Sequence, residues 1–143
     1  MSLQSVRDQL LTTLAASTTF AATYGRMPAD APARMPALIL RYIDSTVEQP
    51  TFASAGQSQH CRFFHNFEAI VLIGSAGQTG QTDKIDNDAM TFINAITGQI
   101  NYYSVKAGYW TEAIVESVEI QGLQWPDVTV YGIVTRIRVT EDT

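Results

Sequence analysis

The sequence predicts an α+β domain: an antiparallel, mixed-order sheet of three to five strands with two helices packed on one face. Three observations predict it. Residues 127–139 alternate with a period of two, placing Val128, Val130, Gly132, Val134, Arg136 and Arg138 on one side and Thr129, Tyr131, Ile133, Thr135, Ile137 and Val139 on the other. β-Branched and aromatic residues at that period are the pattern of a long strand. Residues 63–73 alternate in the same way. Two further stretches, beginning near Leu3 and Thr82, carry apolar residues at helical spacing. Strands that pair with one another and two helices on a shared face make the economical packing for this order of elements.

Residues 127–139 also change character along their length. One side runs from valines to arginines, and the other from Thr129 to apolar residues from Ile133 onward. Such a strand is expected to bury different faces at its two ends as it twists past its neighbours.

The remaining elements follow in chain order. Ser2 is placed to cap a helix over 3–16, with Leu3, Val6, Leu10, Leu11 and Leu14 as its apolar face. Ser17, Thr18 and Thr19 weaken it, and Gly25 marks its latest end. Prolines at 28, 32 and 36 make 27–36 an extended connector. Residues 37–43, nearly all apolar, read as a buried strand. Residues 44–62 are polar and aperiodic, which reads as a long flexible arm that includes a hairpin tip near Gly56. Residues 74–81 form a glycine-rich link. Thr82 then caps a helix over 82–97, with Asp83 and Asp86 in its first turn, Ile85, Ala89, Phe92, Ile93 and Ile96 as its stripe, and Gly98 as its stop. A short strand over 100–103, a turn at Ala107–Gly108, a strand over 110–120 and a turn over 121–126 lead into the last strand, and 141–143 are expected to fray.

The chain's 143 residues are one domain's worth. A low content of charge, with many Thr, Gln, Ser and Tyr, suits a surface partly covered by neighbours. The net charge of −5 argues against a protein that grips phosphate backbones, yet suits a lumen through which nucleic acid slides without sticking. Cys61 is the single cysteine, so no intramolecular disulfide is expected and a reducing compartment fits. No signal-peptide pattern or membrane-spanning apolar run is apparent, and no membrane association is expected.

Candidate chemistry is sparse. Residues 73–82 follow a strand and open a helix, as a phosphate-binding loop does. However, Gly80 is followed by Gln81 rather than lysine, and the spacing of Gly74, Gly77 and Gly80 is not that of a dinucleotide fingerprint. His60, Cys61 and His65 fall one ligand short of a structural zinc site. Asp83, Asp86 and Asp88 lack the glycine and closing glutamate of a calcium loop. Glu112, Glu116 and Glu119 have no histidine near them in sequence and suit a solvated sheet face. No elbow motif supports a Ser/His nucleophile. No catalytic residue, cofactor or metal site is therefore expected. Arg136 and Arg138, joined by Arg41 and Arg62, read as charge on an open sheet face or as a contact patch for an acidic neighbour. Tyr102, Tyr103, Tyr109, Trp110 and Trp125 fall in expected loops and turns, where aromatics mark subunit interfaces or else cap the ends of a sheet core.

Taken whole, the chain resembles the tail terminators (tail completion, minor tail proteins) of long-tailed bacteriophages. The resemblance is one of layout over nearly the full length. It comprises the opening helix LQSVRDQLLTTL at 3–14, the proline-bearing approach RMPALIL at 34–40, a polar arm, a strand, the acidic-capped helix at 82–97 and two closing strands. It implies an α+β subunit without catalytic residues that forms a homo-oligomeric ring, a hexamer in the family, on the last ring of the tail tube. Such a ring stops tube polymerisation and offers a surface to the head–tail connector while DNA passes through its lumen. On this reading Tyr102, Tyr103, Tyr109, Trp110 and Trp125 are candidates for the subunit contact, and Glu48, Phe52, Gln57 and Arg62 for contact with the tube protein or the connector. A neck or head–tail joining protein, and a small-ligand-binding domain with a pocket between helix and sheet, are the alternatives.

Overall fold

The computed structural model describes residues 3–48, 61–75, 81–126 and 128–142, with the backbone alone at 75 and 81–86. Its elements are α1 (Leu3–Ala15), β1 (Ala22–Tyr24), β2 (Ala37–Glu48), β3 (Arg62–Ser75), α2 (Gln81–Tyr102), β4 (Glu112–Trp125) and β5 (Val128–Asp142). The five strands form one sheet in the order β1-β2-β3-β5-β4. β1 pairs with β2 in parallel, and every other pairing is antiparallel. The fold is α+β, as the alternation and helical spacing predict.

β5 is the long strand the sequence singles out, and it pairs with β3 on one side and β4 on the other. Its odd-numbered face, with Ile133, Ile137 and Val139, joins Phe67, Ala69 and Val71 of β3 and Leu38 and Leu40 of β2. Val6, Leu10 and Leu14 of α1 and Ala89, Ile96 and Ile100 of α2 close over that surface. Each fully buried aliphatic side chain there contributes about 1.5–3 kcal/mol. The Gln99 side-chain amide donates to the Thr13 carbonyl at 2.9 Å, tying the two helices together, and Phe20, just beyond α1, stacks on Phe92 of α2 at 5.9 Å. On the even-numbered face a second cluster gathers Val130, Val134, Ile70, Leu72, Ile39 and Trp125, covered by Met27, Ala31 and Met35 of the connector. The strand buries one face under helices and, toward its start, the other face under the connector. This is why its apolar positions shift sides.

Gly132 sits where backbone and side chains converge. A Cβ there would lie 3.0 Å from Leu123 Cδ1, 3.1 Å from Leu72 Cδ2 and 3.2 Å from the Val71 carbonyl oxygen.

Several expected boundaries are corrected. The chain forms a further strand, β1, after α1; Ala21 N–H donates to the Pro36 carbonyl at 2.8 Å beside it. Three residues are too few to show a period. Both ends of the expected arm at 44–62 are strand: Asp44–Glu48 continue β2 and pair with β3 out to Glu48 opposite Arg62, while 49–60, with the expected tip near Gly56, lie outside the described residues. β1 covers β2 only at residues 37–39, so residues 41–48 form an exposed edge and carry no apolar alternation. Phe52 and Gln57 lie outside the described residues. Of the expected link at 74–81, Gly74 and Ser75 end β3, paired with Tyr131 and Val130 of β5, and Gln81 opens α2; 76–80 lie outside the described residues.

α2 passes the expected stop at Gly98 and absorbs the expected strand at 100–103 down to Tyr102. A helical glycine costs roughly 1 kcal/mol. Ile100 continues the stripe one turn beyond Ile96 and is fully buried, which outweighs that cost. β4 extends through the expected turn at 121–126 to Trp125, which pairs with Val128. Of the expected fraying end at 141–143, Glu141 and Asp142 belong to β5: Thr140, Glu141 and Asp142 pair with Phe64, Phe63 and Arg62, Thr140 and Glu141 are buried, and Thr143 lies outside the described residues.

Candidate functional site

The expected aromatic interface does not form one patch. Trp110 and Trp125 are 3% and 9% exposed. Trp110 Nε1 donates to the Tyr103 carbonyl at 2.9 Å, and Trp125 Nε1 to the Pro28 carbonyl at 3.4 Å. Both rings are core members that found polar partners inside the subunit, so the interface assignment is corrected for both. Trp125 ends β4 while Trp110 precedes its start, which puts them at opposite ends of the sheet. Tyr102 is 79% exposed and meets Tyr103 edge-on at 4.7 Å; the Lys106 ammonium lies 4.4 Å from the Tyr103 ring. Tyr109 packs half-buried against the helix-side core.

The four arginines come together on the helix-free face of the sheet, as register dictates. One row across the strands reads Arg41, Glu68, Arg136, Ser117, and the next reads Asp44, Asn66, Arg138, Ile114. Charges alternate along them. Arg136 approaches Glu68 at 3.7 Å, and the Asn66 amide donates to Asp44 at 2.6 Å. The Arg138 guanidinium sits 5.5 Å from the Phe64 ring. At the rim, Arg62 donates to Asp142 at 2.8 Å. That hydrogen bond, with the coulombic pull of the same carboxylate, raises the Arg62 pKa. A shallow concavity of about 430 Å³ lies in this face between Asp44, Glu68, Glu116 and Arg136. Glu116 reaches it from the β4 bulge between Val115 and Ser117, which breaks the simple alternation of Glu112 and Glu116.

A polar chain that runs from the surface into the core is not visible in the sequence. Ser45 Oγ lies 2.6 Å from His65 Nδ1, and His65 Nε2 lies 3.0 Å from Glu141 Oε2. Tyr42 adds a hydroxyl 2.7 Å from Ser45 Oγ. His65 and Glu141 are over nine-tenths buried. A neutral imidazole donating to Glu141 accepts from Ser45, so every ring nitrogen is used. The connectivity is that of a Ser/His/acid triad, but Ser45 pairs within a strand and does not sit on an elbow that presents a nucleophile. The sequence signal is weak: its pattern puts Ser45 in a loop and Glu141 at a fraying end, so neither falls beside His65.

Among the described residues, no group of three His, Cys, Asp or Glu is arranged to hold a metal ion. Asp88 is half-buried; His60 and the side chains of Asp83 and Asp86 lie outside what is described. No described helix is long and apolar enough to cross a membrane.

Among the described residues the sheet has two open edges. β4 is one beyond Ala113, whose N–H donates to the Ser104 carbonyl at 2.8 Å, and β2 from Arg41 to Glu48 is the other. Three antiparallel pairings separate them, so β2 and β4 run antiparallel to each other. Tyr42, Ile43 and Val47 on β2 and Ile120 on β4 are exposed apolar residues along these edges.

No protein-family model matches the chain, and no curated protein matches it in sequence. Among solved structures, a chain of the "Virion of native gene transfer agent (GTA) particle" is similar at 20% identity and a TM-score of 0.46, over 97% of this chain and 95% of that one.

Proposed function

We propose that the chain is a structural subunit of a tailed phage or phage-like particle: a tail terminator that closes into a ring, caps the tail tube and receives the head–tail connector. The observation that carries the reading is the pair of open edges. A sheet whose edge strands are antiparallel can add β4 of one copy to β2 of the next without breaking its hydrogen-bonding pattern. Repeated head to tail, the contact gives a filament or, where its rotation closes, a ring. A cap needs the ring, and the family the layout resembles uses six copies. The helix-free face, with its alternating charges, offers a wettable wall rather than a basic one, in keeping with DNA passing a lumen without being held. Glu48 and Arg62, at the end where β2 and β3 pair last, remain candidates for contact with tube or connector.

The test is native mass measurement and negative-stain imaging of the purified protein over a range of concentrations. Closed rings of uniform copy number are expected. A monomer at every concentration overturns the reading. In a tailed phage that encodes the protein, removing the gene should leave tails of uncontrolled length or tails without heads; normal tails joined to heads would overturn the terminator role.

A further inference from the structure

The free part of β2 begins at Arg41 because β1 already lies beside Ala37–Ile39. A strand added to β2 takes the same lane as β1, since neighbouring strands sit about 4.8 Å apart in one sheet. β4 runs antiparallel to β2, so β4 of one copy laid on β2 of the next points its Trp125 end at β1. The three-residue β1 is therefore a stop: Trp125, the last residue of β4, reaches no further than Arg41.

Hydrogen bonding and face restrict the register further. Arg41, Glu68, Arg136 and Ser117 form one row across four strands. Antiparallel pairs along such a row alternate between hydrogen-bonded and open, so the outer side of Ser117 matches the outer side of Arg41. Trp125 lies four regular two-residue steps beyond Ser117 and matches it as well. We propose that β4 of one copy pairs with β2 of the next with Trp125 opposite Arg41, Leu123 opposite Asp44 and Ile120 opposite Val47, a register that rests on the ring reading and is set by β1. The β2 bulge at Ile43 absorbs the odd residue. Ile120 and Val47 are both exposed in the single subunit and both lie on the helix-bearing face, Ile120 beside Ile133 and Val47 in the row of Phe63 and Glu141. Directly opposite one another, they cover each other's apolar surface. Slipping inward by two residues drives Trp125 against Ile39, where β1 sits. Slipping outward puts Trp125 opposite Asp44, sets Val47 against the bare backbone of Gly122 and leaves Ile120 beyond Glu48, the end of β2. In the proposed register the ladder closes with Glu48 facing Glu119, a like pair that Arg62, opposite Glu48 in its own sheet, offsets.

The test traps the register with cysteine pairs in a Cys61→Ser background, where the pair supplies the chain's only thiols. Val47→Cys/Ile120→Cys is compared with Val47→Cys/Val118→Cys and Val47→Cys/Gly122→Cys, the pairs that the inward and outward slips would align. β2 and β4 of one copy are separated by two strands, so any link joins two copies. Val47 and Ile120 are exposed, so their replacement leaves the core intact. Each variant is assembled, oxidised and resolved by electrophoresis without reductant. Residues directly opposite hold their Cβ atoms about 4.5–5.5 Å apart and diagonal ones about 7–8 Å, and a disulfide closes readily only across the shorter gap. Val47→Cys/Ile120→Cys is expected to link neighbouring copies into covalent chains at least about tenfold faster than either slipped pair. Faster linking by a slipped pair, or equal linking by all three in a protein that forms rings, overturns the register and leaves the ring reading standing. A protein that stays monomeric at every concentration overturns the ring reading and this contact with it.

Discussion

His65 Nε2 and Glu141 Oε2 meet at 3.0 Å between two side chains that are both more than nine-tenths buried. The contact joins the start of β3 to the end of β5 and holds the last residues of the chain in the sheet. Removing one partner leaves the other buried without its mate. His65→Ala is therefore expected to cost about 2–4 kcal/mol in denaturant unfolding. Ending the chain at Val139 should cost at least as much, because it removes Glu141 together with the pairings of Thr140 and Asp142. A loss under about 0.5 kcal/mol on truncation would mean that the end of β5 frays after all.

Gly98 lies inside α2, exposed, with open space where a Cβ would go. Gly98→Ala is expected to stabilise the protein by about 0.5–1 kcal/mol, since alanine is the better helix former. Ile100→Ala should cost about 2–5 kcal/mol, as a fully buried branched side chain is cut back. If Gly98→Ala instead destabilises and Ile100→Ala is neutral by thermal or denaturant unfolding, the helix ends at Thr97.

The elements that could be read from the sequence were those with a buried face long enough to show a period. β5 and β3 declared themselves by alternation, and α1 by Val6, Leu10 and Leu14. In α2, Ala89 and Ile96 of the expected stripe are buried while Phe92 and Ile93 pack at its margin. The misreadings share a cause. Residues 44–48 and 121–124 lie in edge strands, exposed or nearly so, and burial leaves little mark on their pattern. Local preference ends the helix at Gly98 and frays the Glu141 end; the burial of Ile100 in the core and the contact of Glu141 with distant His65 override it. Trp110 and Trp125 looked like loop aromatics because their partners, the Tyr103 and Pro28 carbonyls, are backbone groups that no side-chain pattern reveals. For the same reason the Ser45–His65–Glu141 chain, which depends on the register of three strands, could not be seen.

Gly132 faces three close neighbours, one of them a backbone carbonyl that cannot turn aside. Gly132→Ala is expected to destabilise by about 1–3 kcal/mol through overpacking, despite alanine's smaller loss of backbone freedom. Gly132→Val should be worse. Equal or higher stability of the alanine variant would show that Leu123 and Leu72 repack freely around the strand.

The edges of the sheet carry the final prediction. If β4 of one copy adds to β2 of the next, a charge on either edge should block association without harming the subunit. Ile43 and Val47 are 39% and 48% exposed on β2, and Ile120 is 49% exposed on β4. Lysine at such positions keeps a strand in its own sheet while repelling a second sheet, which is how natural edges avoid pairing. The double variant Ile43→Lys/Val47→Lys, and separately Ile120→Lys, should each stay within about 1 kcal/mol of the parent in unfolding, since surface changes rarely cost more. Each should also move the protein from ring to monomer in native mass spectra. The two edges are different surfaces of one heterologous contact, so an equimolar mixture of the two variants offers each an intact edge on the other. One β4–β2 contact should then re-form between unlike variants, giving heterodimers but no ring, because the outer edges of the pair are both blocked. Rings that survive both substitutions would place the subunit contact elsewhere, and Tyr102, exposed beside Tyr103 at the end of α2, would be the next surface to test.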